Sequence, residues 1–187
     1  PFQDKFINDR HRFVICTAAN QIGKTLAICV KALHHACYVP NAFVLIVSRS
    51  EDQAIRMLDM IKGLMRFSKI DFEDTKDEVD NRTELHIKTK NNSGISVIKC
   101  VPPTTSALGF PATLLIGDEV GFWEIKVMNE INYFYQVLET RTNSTKNWKH
   151  DFLTIGQIIF ISNPNGQQGL LWHLQKEDNR FNKYRFS

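Results

Sequence analysis

Four short apolar runs set the tightest limit on what this chain can fold into. They are Arg12–Ala18 (RFVICTA), Ala42–Ser48 (AFVLIVS), Ala112–Glu119 (ATLLIGDE) and Gln157–Gly166 (QIIFISNPNG). Each is short, continuous and rich in β-branched residues, which suits strands buried on both faces. Segments of helical period separate them. Gly23–Val39 places Leu26, Val30, Leu33 and Cys37 at helical spacing before Pro40 and Asn41 break the pattern. Glu51–Phe67 carries Ile55, Leu58, Ile61, Leu64 and Met65 on one stripe, with Ser50 placed to cap it. A long aromatic-rich helix is expected over Glu124–Thr140, and a short amphipathic one over Gln167–Asp178. Strand alternating with helix is an α/β order, with a mainly parallel central sheet flanked by helices.

The middle of the chain differs. Residues 71–103 are polar, and Glu84–Lys90 and Gly94–Cys100 alternate around an Asn-Asn-Ser-Gly turn. That predicts a β-hairpin insertion of half-exposed strands. The acidic run Asp71–Asp80 reads as a solvated loop, and Thr140–Asp151 as a polar one. With 187 residues, no repeat and no internal boundary, one domain is expected.

Composition narrows the function classes. The apolar runs fall far short of the ~20 residues of a membrane-spanning helix, so no membrane partner is expected. The N-terminal PFQDKFINDR is polar and charged, unlike a secretory leader. Cys16, Cys29, Cys37 and Cys100 form no C-x-x-C pair, and the six histidines are scattered. Reduced, buried thiols are expected rather than a zinc cluster. A net charge of +3 permits a nucleic-acid partner without requiring one. A chain that starts at Pro1 and ends at Ser187 without a tail is expected to be a fragment of a longer protein.

The chemistry begins at Thr17–Ala27 (TAANQIGKTLA), where an apolar strand passes through one glycine into a helix. A phosphate-binding loop needs that context, because loop amides and a helix N-terminus must converge on the anion. Ala18 stands where the usual pattern G-x-x-x-x-G-K-[ST] opens with glycine. On this reading Ala19, Asn20, Gln21, Ile22 and Gly23 form the cradle. Lys24 reaches the phosphates and Thr25 offers a hydroxyl to Mg²⁺. The plain alternative is a strand-to-helix turn that happens to contain Gly-Lys-Thr.

Two further strand ends carry polar groups. Asp118 and Glu119 follow the third apolar run, where α/β sheets bind ligands. Asp118 is a candidate Mg²⁺ ligand and Glu119 a candidate to activate water, against the plain reading of an acidic helix start. Ser162 and Asn163 end the fourth run, before a Pro-Asn-Gly turn signal. They could sense the γ-phosphate, or serve turn chemistry alone. Gly121–Trp123 and the histidine pair His34-His35 read as packing residues before ligands.

Together the loop NQIGKT, a strand ending GDE and a later strand ending SNPNG resemble the large terminase subunit of tailed bacteriophages. Residues 162–166 fit that family's Ser/Thr-x-Pro-x-Gly coupling motif, and Phe2-Gln3 are similar to its aromatic-Gln segment, which implies that Gln3 meets adenine. The resemblance implies an ASCE-type P-loop NTPase fold and an ATPase motor domain over residues 1–187, with the family's C-terminal nuclease domain absent from this chain. It implies ATP and Mg²⁺ as cofactors. It implies double-stranded DNA bound without sequence preference, and a portal protein and small terminase subunit as partners. A homo-oligomeric ring on the capsid follows, with the isolated domain a possible monomer, in the host cytoplasm and transiently docked on the procapsid. The chain departs from the family in two places, with Asn20 and Leu108 where many members carry arginine. Arg49 and Arg141 are then candidates for an arginine finger supplied by a neighbouring subunit. Three other readings stay open: a helicase-like DNA translocase, a nucleotide-binding regulatory module without motor activity, and a non-enzymatic α/β interaction domain with a decayed loop, motivated by Ala18.

Overall fold

The computed structural model describes residues 2–73, 82–90, 94–123, 128–143, 156–164, 166 and 169–186. Among these residues the strands are β1 (Phe13–Ala18), β2 (Phe43–Val47), β3 (Glu84–Ile87), β4 (Ser96–Val101), β5 (Leu114–Asp118), β6 (Gln157–Ser162) and β7 (Asn182–Phe186). The helices are α1 (Phe2–Ile7), α2 (Lys24–Tyr38), α3 (Glu51–Phe67), α4 (Met128–Asn143) and α5 (Gly169–Lys176). All strands join one sheet in the order β3-β4-β2-β5-β6-β1-β7. Every pairing is parallel except β3 with β4.

The four apolar runs became the sheet's centre for the reason their composition suggests. Side chains alternate across a strand, and here both sets are buried. Val14, Cys16, Val44, Ile46, Leu114, Ile116, Ile159 and Ile161 pack under α1, α2 and α3. Phe13, Ile15, Leu45, Val47, Leu115, Ile158 and Phe160 pack on the other face with Tyr135, Leu138 and Leu171 of α4 and α5. Phe160, fully buried, anchors that second layer through edge contacts to Trp123 and Tyr135 and a stacked contact with Phe181. The aromatic segment after the acidic pair is therefore core at Trp123, which is 6% exposed.

Helix α3 has the expected bounds, with the Ser50 side chain accepting from the Gln53 amide at 3.3 Å. Helix α2 buries Leu33 and Cys37 of its expected stripe but not the other two positions. Leu26 is 48% exposed and Val30 half-buried, whereas Ala27, Ile28, Ala32 and Ala36 are buried. Small residues win that face because α2 is wedged between the sheet, α1 and α3. The hairpin forms as β3 and β4, and β4 also pairs with β2, so the hairpin extends the main sheet at its edge. Its turn residues 91–93, the acidic residues 74–80, the helix start 124–127 and the loop 144–151 lie outside the described residues. Helix α1 and edge strand β7 were not expected from the sequence. All four cysteines are free and buried. Among the described residues, no helix is long and apolar enough to cross a membrane.

Candidate nucleotide site

Register places the three candidate strand ends at one edge of the sheet. Thr17 of β1 lies beside Ser162 of β6, and Asp118 of β5 lies beside Ile161. The loop after β1, the acidic pair after β5 and the polar pair after β6 therefore share one edge of the sheet, the carboxyl edge where α/β folds bind ligands.

The loop is built to present amides. Strand β1 runs extended through Ala18, paired with Phe186 of β7, and the Ala19 amide donates to the Phe186 carbonyl at 2.9 Å. The chain thus needs no glycine at Ala18. It then turns sharply, with Gln21 at φ 62° and Gly23 at φ 84°, both left-handed. Gly23 is suited to that geometry, and an added Cβ there would also meet Gln3 Nε2 at 3.3 Å. Among the described residues, the backbone N–H groups of residues 20–25 have no intramolecular acceptor. Several of these donors lie at the N-terminus of a fifteen-residue helix, which is a ready anion cradle.

Lys24 is buried beneath this loop. Its ammonium donates to the carbonyls of Ala18, at 3.1 Å, and Ala19, and to the side-chain oxygen of Asn163. Burial lowers its pKa, and Asp118 pulls it back upward. Gln3, predicted to meet adenine, donates to the Ile22 carbonyl at 2.9 Å and so sits against the loop. Buried Lys31 holds that segment in place by donating to the carbonyls of Ile7 and Asp9 at 2.8 and 2.7 Å.

Asp118 is 1% exposed. Its Oδ2 accepts from Gln53 Nε2 at 2.8 Å and its Oδ1 from the Glu119 amide at 3.1 Å. Burial and the neighbouring Glu119 push its pKa up to about 6, so this carboxylate is poised for a cation. Thr25 and Asp118 both offer hard oxygen donors, the kind Mg²⁺ takes together with phosphate oxygens and water. Glu119 itself stands at φ 53°, a left-handed conformation that is uncommon outside glycine. It opens the 3-10 turn Val120–Phe122, whose Gly121 amide donates to the buried Ser162 hydroxyl at 3.1 Å. The last two residues of the polar strand tip thus divide their bonds, Ser162 to the Glu119 turn and Asn163 to Lys24. Asn165, the fourth residue of the expected coupling motif, lies outside the described residues.

A cleft of about 490 Å³ opens between this edge and α3, lined by Thr25 and Glu119 on one side and by Ser50, Asp52, Gln53, Arg56, Met57 and Met60 on the other. Neither Gln53 nor Arg56 was expected to be a site residue. Their signal is position alone, one face in the first two turns of the helix that follows β2. Arg49 is exposed nearby and stacks over Phe122, 5.4 Å from the ring centroid. Arg141 lies elsewhere. Its Nε donates to the Leu108 carbonyl at 2.8 Å, and its own carbonyl accepts from Ala112 before β5, at the opposite edge of the sheet.

This arrangement defines the class. With β6 between the phosphate-loop strand β1 and the acidic strand β5, the fold is an ASCE-type P-loop NTPase fold. Solved structures resolve the class further. The large terminase of a thermophilic bacteriophage, in complex with ADP, matches at TM-score 0.71 and 14% identity, over 99% of this chain and 44% of that one. The large terminase ATPase domain of Thermus phage P74-26 matches at TM-score 0.65 and 18% identity, over 99% of this chain and 79% of that one. Dbp5 of S. cerevisiae matches less well, at TM-score 0.54 and 13% identity, over 100% of this chain and 46% of that one. The fold is that of a large terminase ATPase domain, and the chain spans less than half the length of the ADP-bound terminase. No protein-family model and no curated protein sequence matches the chain.

Proposed function

We propose that this domain hydrolyses ATP with Mg²⁺ and uses the energy to drive double-stranded viral DNA into a procapsid. The observation that carries the nucleotide reading is the run of amides at residues 20–25 with no acceptor among the described residues, beside a buried Lys24 that feels the charges of Asp118 and Glu119. The large terminase of the thermophilic bacteriophage, solved with ADP and with ATP-γ-S, shares this fold.

The loop amides and Lys24 hold the phosphates, and Gln3, which donates to the Ile22 carbonyl, meets adenine beside the loop. Thr25 and Asp118 would hold Mg²⁺, which when bound neutralises phosphate charge. Glu119 orients a water for in-line attack on the γ-phosphate. Phosphoryl transfer depends mainly on such positioning and charge stabilisation. Ser162 and Asn163 then couple the event outward, because one holds the Glu119 turn and the other holds Lys24.

The motor assignment extends the terminase fold. Residues 1–187 act as the motor domain of a larger protein, assembled as a ring on the capsid with portal protein and small terminase subunit. The work takes place in the host cytoplasm, docked transiently on the procapsid. DNA is held through its phosphates, so binding is independent of sequence and weakens steeply with salt.

Calorimetric titration with ATP and Mg²⁺, followed by hydrolysis assays with and without duplex DNA, tests the reading. Saturable binding lost in Lys24→Ala, with turnover raised by DNA at low salt, supports the motor. Binding and turnover that never respond to DNA or capsid components would favour a regulatory nucleotide-binding module.

A further inference from the structure

Charge stabilisation in phosphoryl transfer commonly needs an arginine near the γ-phosphate. In this chain the loop carries Asn20, and Leu108 precedes the acidic strand. Arg141 is bound at the far edge of the sheet. Arg49 lies near the site but stacks over Phe122 and does not line the cleft.

Arg56 does line it. The cleft holds Thr25 and Glu119 on one wall, and Arg56 is the one basic side chain among the described residues that line it. Its carrier is well fixed. Helix α3 is capped by Ser50 and packs through buried Met57, Leu58 and Ile61. Gln53, three residues before Arg56 and so on the same helix face, reaches Asp118 at 2.8 Å. That contact fixes the face of α3 on the metal-site carboxylate. Arg56 itself makes no hydrogen bond or ion pair with any described residue, although it shares the cleft with Asp52 and Glu119. Its guanidinium donors remain available to an anion.

We infer that Arg56 is a catalytic residue supplied in cis, which meets the γ-phosphate from α3 and stabilises charge on it during transfer. The inference rests on the proposed ATPase reading. It places the arginine on a rigid helix of the same chain, so hydrolysis need not await a neighbouring subunit.

The test compares ADP and ATP-γ-S affinity and single-turnover ATP hydrolysis, with Mg²⁺, for the native chain, Arg56→Ala, Arg56→Lys and Arg49→Ala. Arg56 is exposed, so its variants should fold, and thermal unfolding checks this. The expected result is unchanged ADP affinity, ATP-γ-S affinity lowered about tenfold, and hydrolysis lowered about 10³-fold in Arg56→Ala. Arg56→Lys should recover the affinity better than the rate, since a lysine is a point charge without the planar fork. Native-like binding and turnover in Arg56→Ala would overturn the inference and leave the ATPase reading standing. Equal losses for ADP and ATP-γ-S would also overturn it, since the γ-phosphate would then not be the group recognised. Failure of the native chain to bind either nucleotide would overturn the ATPase reading, and this inference with it.

Discussion

Lys24 and Asn163, 139 residues apart in sequence, are hydrogen-bonded across the candidate nucleotide site. A lysine ammonium has three donors, and here they go to two loop carbonyls and the Asn163 side chain. A phosphate that engages Lys24 must share or displace one of these. The carbonyls belong to the backbone at the end of β1 and the start of the loop, so Asn163 is the partner free to leave. Nucleotide arrival at β1 would then be felt at the tip of β6 without any long relay.

Asn163→Ala should still bind ATP, within several-fold of the native affinity, because Lys24 keeps both carbonyls. It should lose the nucleotide-dependent change in amide hydrogen exchange at residues 162–164. An unchanged exchange response in the variant would remove Asn163 from the coupling path.

Ser162→Ala should separate binding from turnover. The substitution removes the hydroxyl that accepts from the Gly121 amide, and a hydrogen bond of this kind contributes about 0.5–1.5 kcal/mol. The turn that begins at Glu119 loosens, so hydrolysis should fall at least tenfold while ATP affinity holds. Denaturant unfolding and steady-state kinetics check the two halves.

Gly117→Ala should damage fold and site together. An added Cβ would lie 2.5 Å from Phe160 Cδ1 and 2.8 Å from Val120 Cγ2. Overpacking of this kind typically costs about 1–3 kcal/mol. The strain falls between the core ring Phe160 and the turn after Glu119, so metal-dependent nucleotide binding should weaken as well. Chemical denaturation with calorimetry measures both.

The Asp118 carboxyl gives a pH signature. Its folded pKa of about 6 lies above the ordinary 3.8, so the folded protein binds the extra proton between those values. This group therefore stabilises the ligand-free fold below about pH 4 and loses that contribution as pH rises to about 6. Metal binding needs the ionised form, so Mg²⁺-dependent nucleotide affinity should fall about tenfold per pH unit below 6. Both effects should vanish from the Asp118→Asn variant, in unfolding curves compared with the native chain and in binding titrations from pH 5 to 8. A binding profile of the native chain that is flat across that range would contradict the assignment.

Much of the fold was legible because the central strands are buried on both faces and therefore continuous in their apolar character. The sharp turn of the candidate phosphate loop was legible from context, a strand running into Gly23-Lys24-Thr25 at a helix start. Ser50 announced α3 by its capping chemistry. Other features were missed or had no local signal. Strand β7 alternates Asn182, Tyr184 and Phe186 against exposed Lys183 and Arg185, a pattern that could have marked it as an edge strand. Helix α1 is six residues long and held by Lys31 from α2, so its cause is tertiary. Leu26 misled because helical spacing names a face without naming what covers it. The Gln53–Asp118, Ser162–Gly121 and Asn163–Lys24 bonds join residues far apart in sequence, and only the strand order brings them together.

Single-turnover hydrolysis of ATP with Mg²⁺ by the native chain and by Glu119→Gln, alongside ATP binding by both, tests the central claim most directly. The account predicts equal binding and a rate lower by about 10²–10⁴ in the variant, the scale of a positioned base. Equal rates in the two proteins would contradict it, because Glu119 would then not be the group that activates water.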